Sequence, residues 1–268
     1  MVDALRNRLR ELINEKPSAL GTFTTLGDSA AVELAGLAGF EFVVIECEHA
    51  GLSLETVQNH LRAARARELG TLVRVPAGDH GFVQRVLDIG ADGVLVPHIS
   101  DTRAAARAVS GVRFPPDGHR GMYPNSAAAD FGAHGLPGVS ELTQALNRNT
   151  VLAIMIEEAS AIDQIAAIVA TPGVDLVVVG PSDLSASLGV IGDPNDLRLA
   201  DAIRKVFKTC REAGVKFGMP VEHSGYRQTG AELRDQGAWF LTGGSDSVFL
   251  LNAFKASVKA HSLAAPRG

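Results

Sequence analysis

The sequence predicts a (β/α)8 barrel, the TIM-barrel architecture, in one domain spanning residues 1–268, and three observations predict it. Short apolar runs alternate with amphipathic segments eight times along the chain. Glycine stands where several amphipathic segments must stop and turn into the next apolar run. Aromatic residues make up only 5%, so a core must be built from Val, Ile, Leu and Ala, the types that fill parallel sheets and barrel interiors. Eight strand-then-helix units need a parallel sheet covered by helices, and closure into a barrel is the commonest eightfold arrangement. A doubly wound open sheet is the alternative, but no GxGxxG stands after the first run, as a dinucleotide fold would require.

At the start of the chain, residues 1–17 mix Arg, Glu and Leu at helical spacing and read as an N-terminal helix rather than a secretory leader, which needs an unbroken apolar stretch. Strands are expected at Gly21–Thr25, Phe42–Ile45, Thr71–Val75, Gly93–Val96, Leu152–Ile156, Leu176–Val179, Lys216–Met219 and Trp239–Thr242. Helices are expected between them, among others at Ala30–Ala38, Leu54–Glu68, Gly81–Ile89, Asp101–Val109, Ala161–Val169 and Leu197–Ala213. Ala38-Gly39-Phe40, Ile89-Gly90-Ala91, Glu212-Ala213-Gly214 and Gln236-Gly237-Ala238 supply the helix-ending glycines. Gly111–Pro137, rich in Gly, Pro, His and Asn, breaks the rhythm, and so long an irregular stretch is expected to serve function or an interface.

Composition narrows the function classes. A net charge of −5 with no Lys/Arg run argues against nucleic-acid or anionic-membrane partners. The longest apolar runs are far too short to span a bilayer. Two cysteines, Cys47 and Cys210, without CxxC spacing, predict reduced thiols and a cytoplasmic location.

In such barrels catalytic groups stand at the C-terminal ends of strands, and here those ends are polar. Strand two ends in Glu46-Cys47-Glu48-His49, strand three carries Arg74, strand five ends in Glu157-Glu158, strand six in Gly180-Pro181-Ser182-Asp183, and Glu222-His223 come after strand seven. Glu157 and Asp183 end consecutive strands, roughly 4.8 Å apart, so both carboxylates can reach one ion. Such a pair with open positions suits Mg²⁺ or Mn²⁺; the bland alternative is that each caps a helix. Gly180-Pro181 would bring the amides of Ser182 and Asp183 to a helix N-terminus, where anions bind. His49, in a loop beside two acids, suits proton transfer, or is simply solvated. Arg74 lies inside an apolar run, where a guanidinium is costly unless an anionic ligand, Asp88 or a glutamate pairs with it. Of the six lysines none falls at a strand's C-terminal end, which excludes a Schiff-base aldolase. Cys47 is a weak nucleophile candidate. Gly243-Gly244-Ser245 reads equally as a phosphate site or a tight turn.

Glu48-His49-Ala50-Gly51, Val73-Arg74-Val75-Pro76, Phe114-Pro115-Pro116 through Arg120-Gly121, Ile156-Glu157 and Gly180-Pro181-Ser182-Asp183-Leu184-Ser185 together resemble the HpcH/HpaI aldolase family of class II pyruvate aldolases, from about Gly21 to Ala253. The resemblance implies that Glu157 and Asp183 hold a divalent metal (Mg²⁺, Mn²⁺ or Co²⁺), that Arg74 stabilises the enolate oxygen, and that His49 paired with Asp88 is the acid/base. It implies that the oxo-acid carboxylate sits on the amides of Ser182 and Asp183, with Glu46, Gly180, Pro181 and Ser182 at the substrate. It further implies a homo-oligomer, a hexamer built as a trimer of dimers, in which C-terminal helices (Ser245–Ala260) are exchanged and Met122 reaches a neighbour's pocket. Two positions depart from the family pattern: Met155 replaces Gln, and Glu46-Cys47 replaces Asp-Gly. The expected activity is reversible aldol cleavage of 4-hydroxy-2-oxo acids to a 2-oxo acid and an aldehyde. The alternatives are an acyl-CoA thioester lyase and a non-catalytic barrel that binds oxo acids or phosphorylated ligands.

Overall fold

A computed structural model describes residues 6–133, 138–223 and 226–261. Eight parallel strands close in sequence order: β1 (Ala19–Thr24), β2 (Phe42–Glu46), β3 (Gly70–Arg74), β4 (Gly93–Val96), β5 (Val151–Ile156), β6 (Leu176–Val179), β7 (Lys216–Pro220) and β8 (Phe240–Ser245). The fold is the (β/α)8 barrel that the alternating pattern predicts. Around it lie α2 (Ala30–Leu37), α3 (Leu54–Ala66), α4 (His80–Asp88), α5 (Thr102–Val112), α6 (Val139–Asn149), α7 (Ala159–Asp163), α8 (Ile165–Val169), α9 (Pro181–Ser187), α10 (Leu197–Ala213) and α11 (Gly230–Asp235). The helix α1 (Arg8–Glu15) precedes the barrel, and α12 (Asp246–His261) succeeds it. Of the segment 1–17 expected to be helical, residues 1–5 lie outside the described part, as do residues 134–137 of the irregular stretch.

Helix starts are fixed by local chemistry. Ser53, Asp79 and Asp101 each accept a hydrogen bond from a backbone N–H in the first turn of the adjoining helix, satisfying a donor with no partner inside the helix. Gly214 ends α10 in the left-handed conformation, with φ 70°.

Period-two alternation along the strands creates two cores. Outward residues such as Val43, Ile45, Val73, Ile154 and Leu241 pack under the helices. Inward residues, Phe42 and Val44 on β2, Leu72 on β3, Val151, Ala153 and Met155 on β5, Leu176 and Val178 on β6, and Phe240 on β8, fill the barrel. Leu9, Leu12 and Ile13 of α1 close its lower end. Continuing the inward register to the upper end leads to Glu46, Arg74, Glu157, Gly180 and Thr242, so the pleat itself aims these residues at one place.

Below, Asp92 and Thr71 clasp β3 to β4: the Thr71 N–H donates to Asp92 Oδ2 at 2.9 Å and the Asp92 N–H to Thr71 Oγ1 at 3.0 Å. Burial pushes the Asp92 carboxyl from the ordinary 3.8 up to about 6. The native state therefore holds this proton more tightly than the unfolded chain does, so the contribution is fully present below pH ~4 and is lost as pH rises through about 6. In melting curves from pH 4 to 7, Asp92→Asn should gain on the wild type across that window, ending about 2–3 kcal/mol ahead of where it began. A constant difference would refute the assignment.

The helix α12 buries none of its residues, although it carries Val248, Phe249, Leu250, Leu251, Phe254 and Val258. Leu34 and Leu37 of α2 are also exposed. Among the described residues no helix is long and apolar enough to cross a membrane.

Candidate active site

At the C-terminal end of β2, Glu46 bends back into its own loop. Its Oε1 accepts from the N–H groups of Glu48 (2.7 Å) and His49 (2.9 Å), and its Oε2 accepts from Arg74 Nε at 2.5 Å. Glu46 and Arg74 are register partners across β2 and β3, which puts the two groups within reach. Glu46 is 2% exposed and lines the cavity, with both oxygens engaged inside the protein. The carboxylate shapes the turn that presents His49 and fixes the direction of the guanidinium.

Held through Nε, Arg74 also lies 3.4 Å from Glu48 Oε2 and over the Phe23 ring at 5.5 Å. Its Nη1 meets only the sulfur of Met155, at 3.9 Å, a weak acceptor. The glutamate pairing anticipated for Arg74 is thus real, and Asp88 takes no part in it. Yet the pairing uses the Nε side and leaves the terminal donors at the cavity.

The expected His49–Asp88 pair does not form within the chain. His49 lies just past β2 at the upper end, with a 64% exposed side chain and Nε2 3.7 Å from Glu48 Oε2. Asp88 closes α4, which runs back to the lower end, and accepts from Arg120 Nη2 at 2.7 Å. Met122 lies in the loop beyond Arg120 and does not line this chain's cavity.

Glu157 stands directly after β5 and is 2% exposed; its Oε1 accepts from the His98 N–H at 2.7 Å. Its Oε2 lies against Gly180, where a Cβ would come within 2.6 Å of it. Only glycine leaves that carboxylate oxygen its place. Burial, reinforced by the charges of Asp183 and Glu48, raises the Glu157 carboxyl above its usual range, with His98 opposing. Asp183 stands in the first turn of α9, after Gly180 and with Pro181 opening the helix. Ser182 Oγ lies 3.5 Å from His223 Nε2.

These groups share a cavity of about 640 Å³ lined by Phe23, Glu46, His49, Arg74, Met155, Glu157, Gly180, Pro181, Ser182, Asp183 and Thr242, among others. Another cavity, of about 310 Å³, lies at the lower end near Asp92 and Arg120, away from the strand ends that carry these groups. Among the described residues no three His, Cys, Asp or Glu side chains converge as a metal-holding group. Glu157 and Asp183 both line the cavity and feel each other's charge, and two carboxylates suit Mg²⁺, whose remaining positions go to water or substrate oxygens. A carboxyl whose charged form burial, and after it neighbouring negative charge, disfavours is also one whose charged form a cation would favour. Cys47 packs in the outer core and does not line the cavity, and burial, helped by Glu46, pushes its thiol up to about 12.

Sequence reasoning gives no role to His98 or to Glu48 by itself. His98 lies just past β4 with φ 56° and is 3.4 Å from Glu48 Oε1 through Nε2 and 3.5 Å from both Glu157 and Glu158 through Nδ1. Val96-Pro97-His98 ends strand four, so inspecting the residues just beyond every strand, this one included, finds it.

Comparison with known proteins agrees along almost the whole chain. A family model described as HpcH/HpaI aldolase/citrate lyase matches residues 19–253. The chain is 32% identical over 246 residues to a 5-keto-4-deoxy-D-glucarate aldolase of Enterobacter sp. (strain 638), covering 91% of this chain and 92% of that one. An HpcH/HpaI aldolase/citrate lyase family protein from Burkholderia cenocepacia J2315 superposes with a TM-score of 0.86 at 32% identity, covering 95% of this chain and 99% of the other. The citrate synthase SbnG superposes with a TM-score of 0.84 at 26% identity, covering 96% and 98%.

Proposed function

Because the chain belongs to the HpcH/HpaI aldolase/citrate lyase family, we propose that this cavity reversibly cleaves 4-hydroxy-2-oxo acids to a 2-oxo acid, such as pyruvate or hydroxypyruvate, and an aldehyde. Family membership and the aldolase relatives make it a carbon–carbon lyase. The observation that carries the finer reading is Arg74. It is anchored through Nε with its terminal donors at a cavity that also holds Glu157 and Asp183.

Glu157 and Asp183 would hold a divalent cation, which when bound supplies Lewis-acid neutralisation of charge on the oxo-acid oxygens. The amides of Ser182 and Asp183 orient the substrate carboxylate. His49 Nε2, 3.7 Å from Glu48, takes the proton of the 4-hydroxyl. The C3–C4 bond then breaks: C4 leaves as the aldehyde, and the electron pair passes through C3 to the oxygen on C2. Arg74 donates to that oxygen as its charge grows, the moment at which a preorganised donor matters most. Protonation at C3 releases the 2-oxo acid.

Pyruvate with a panel of aldehydes, and analysis of the products, tests this. Turnover that disappears in excess chelator and returns with Mg²⁺, Mn²⁺ or Co²⁺ is the expected result. Saturable binding without turnover would instead support the oxo-acid-binding barrel, and products of thioester chemistry the acyl-CoA lyase.

The same reading takes the working form to be a homo-oligomer, a hexamer with exchanged C-terminal helices. The exposed apolar residues of α12, and the exposed Leu34 and Leu37, support it, since large apolar side chains left uncovered along one helix mark an association site. A second copy is then the remaining source of an Asp88 for His49, and of a Met122 at the cavity mouth. Phe254→Asp should lower the sedimentation coefficient towards smaller species; an unchanged assembly would remove α12 from the interface.

A further inference from the structure

Alternation along β8 places Leu241 under the helices and Phe240 inside the barrel, so Thr242 also turns inward. Thr242 is fully buried and lines the candidate cavity, and its Oγ1 has no hydrogen-bond partner among the described residues. Other threonine hydroxyls nearby are engaged: Thr22 Oγ1 donates to the Gly244 carbonyl at 3.0 Å and Thr25 Oγ1 to Asp246 at 2.7 Å. A buried hydroxyl left unpaired lowers stability, and a protein that retains one at a cavity wall has a use for it there.

The register gives its level. Thr242 pairs with Pro220, Gly218 with Val178, and Val179 with Ile156. Carrying the register two residues on from Gly218 and Val178, and one on from Val179 and Ile156, puts Thr242, Pro220, Gly180 and Glu157 on one tier of the wall. The two residues between its ends, proline and glycine, bring no hydrogen-bonding side chain. On the proposed aldolase reading, on which this inference rests, the substrate's carboxylate, C2 oxygen and C4 hydroxyl are met from β2, β3, β5 and β6. C3 is the reacting carbon left without a partner, and the wall left to face its substituent runs from β7 through β8 to β1. There Pro220 and Phe23 are apolar, the hydroxyls of Thr25, Ser245 and Ser247 are bonded to Asp246 or to one another, and Thr242 carries the one without a partner among the described residues.

We propose that Thr242 Oγ1 is a specificity-determining group that receives a hydroxyl on C3, making 3-hydroxy-2-oxo acids the favoured donors and 3,4-dihydroxy-2-oxo acids the favoured substrates for cleavage. In the condensation direction C3 of the donor loses a proton to the base and its electron pair forms the bond to the aldehyde carbon. The aldehyde oxygen becomes the 4-hydroxyl on taking up a proton, and the C3 hydroxyl stays unchanged on Thr242. Met155 on β5 adds an apolar neighbour that offers the C3 hydroxyl only a weak acceptor.

The test measures kcat/KM for hydroxypyruvate and for pyruvate with one fixed aldehyde, glycolaldehyde, in the wild type, Thr242→Val and Thr242→Ser. The wild type should favour hydroxypyruvate. In Thr242→Val the hydroxypyruvate-to-pyruvate ratio should fall about tenfold, the effect of one lost hydrogen bond, while Tm stays level or rises. Thr242→Ser should keep most of the ratio. An unchanged ratio in Thr242→Val overturns the proposal, and a lowered Tm with that unchanged ratio makes the hydroxyl structural. If the wild type turns over neither donor, the aldolase reading falls and takes this one with it. Turnover with no difference between donors overturns the Thr242 assignment alone.

Discussion

Replacing Arg74 by lysine should lower kcat at least about 100-fold while leaving the fold intact, because one oxyanion donor in a closed site is worth about 100- to 1,000-fold. Lysine keeps the positive charge that Glu46 and Glu48 face. It lacks the planar fork that lets one nitrogen bind Glu46 while the others reach the substrate. The alanine variant is the poorer experiment. Glu46 would keep its two backbone N–H donors but lose its cation while 2% exposed, and breaking a buried pair from one side costs about 3–5 kcal/mol. Steady-state kinetics beside a thermal melt separates the two effects. A lysine variant with near-normal kcat would remove Arg74 from the chemistry.

Glu157→Gln should abolish cation binding and reduce kcat by at least about 1,000-fold, corresponding to the several kcal/mol of charge stabilisation a bound cation supplies. It should also leave Tm level or raise it. Glutamine is nearly isosteric and can still accept from the His98 N–H, and it removes a carboxyl whose charged form burial, Asp183 and Glu48 all disfavour. Loss of function with gain of stability is the signature of a group held for chemistry. Mn²⁺ titration monitored by electron paramagnetic resonance, read beside Tm, checks both halves. Unaltered Mn²⁺ binding would sink the assignment of Glu157 as a ligand.

The fold was legible because apolar runs and pleat alternation are local. β4 and β6 lie where the sequence puts them, and the other strands differ by one to three residues at their ends. The single helix expected over Ala161–Val169 is two, broken at Gln164. Ile162, Ile165 and Ile168 stay buried on both sides of the break, so the spacing alone does not reveal it. The site was legible as a set of strand ends, since Arg74, Glu157 and Asp183 do line one cavity. What a residue's partner is was harder to see. Nothing in the sequence around Glu46 says that its carboxylate curls back to two amides of its own loop. A helix of nine residues carries Asp88 to the other end of its own barrel, so within one chain it does not meet His49. The role of His98 is not legible in sequence, because its contacts come from three acids on two other strand ends. The Thr242 hydroxyl is conspicuous only once every neighbour has been accounted for.

Asp246, the first residue of α12, accepts from the N–H and hydroxyl of Thr25 and from the N–H of Leu26, and Thr25 lines the cavity. The root of the C-terminal helix and the lip of the reaction chamber are thus one bonded unit. On the proposed exchange of C-terminal helices, the surface that grips this helix also tightens the lip, and specific activity should then climb with enzyme concentration until every helix is seated.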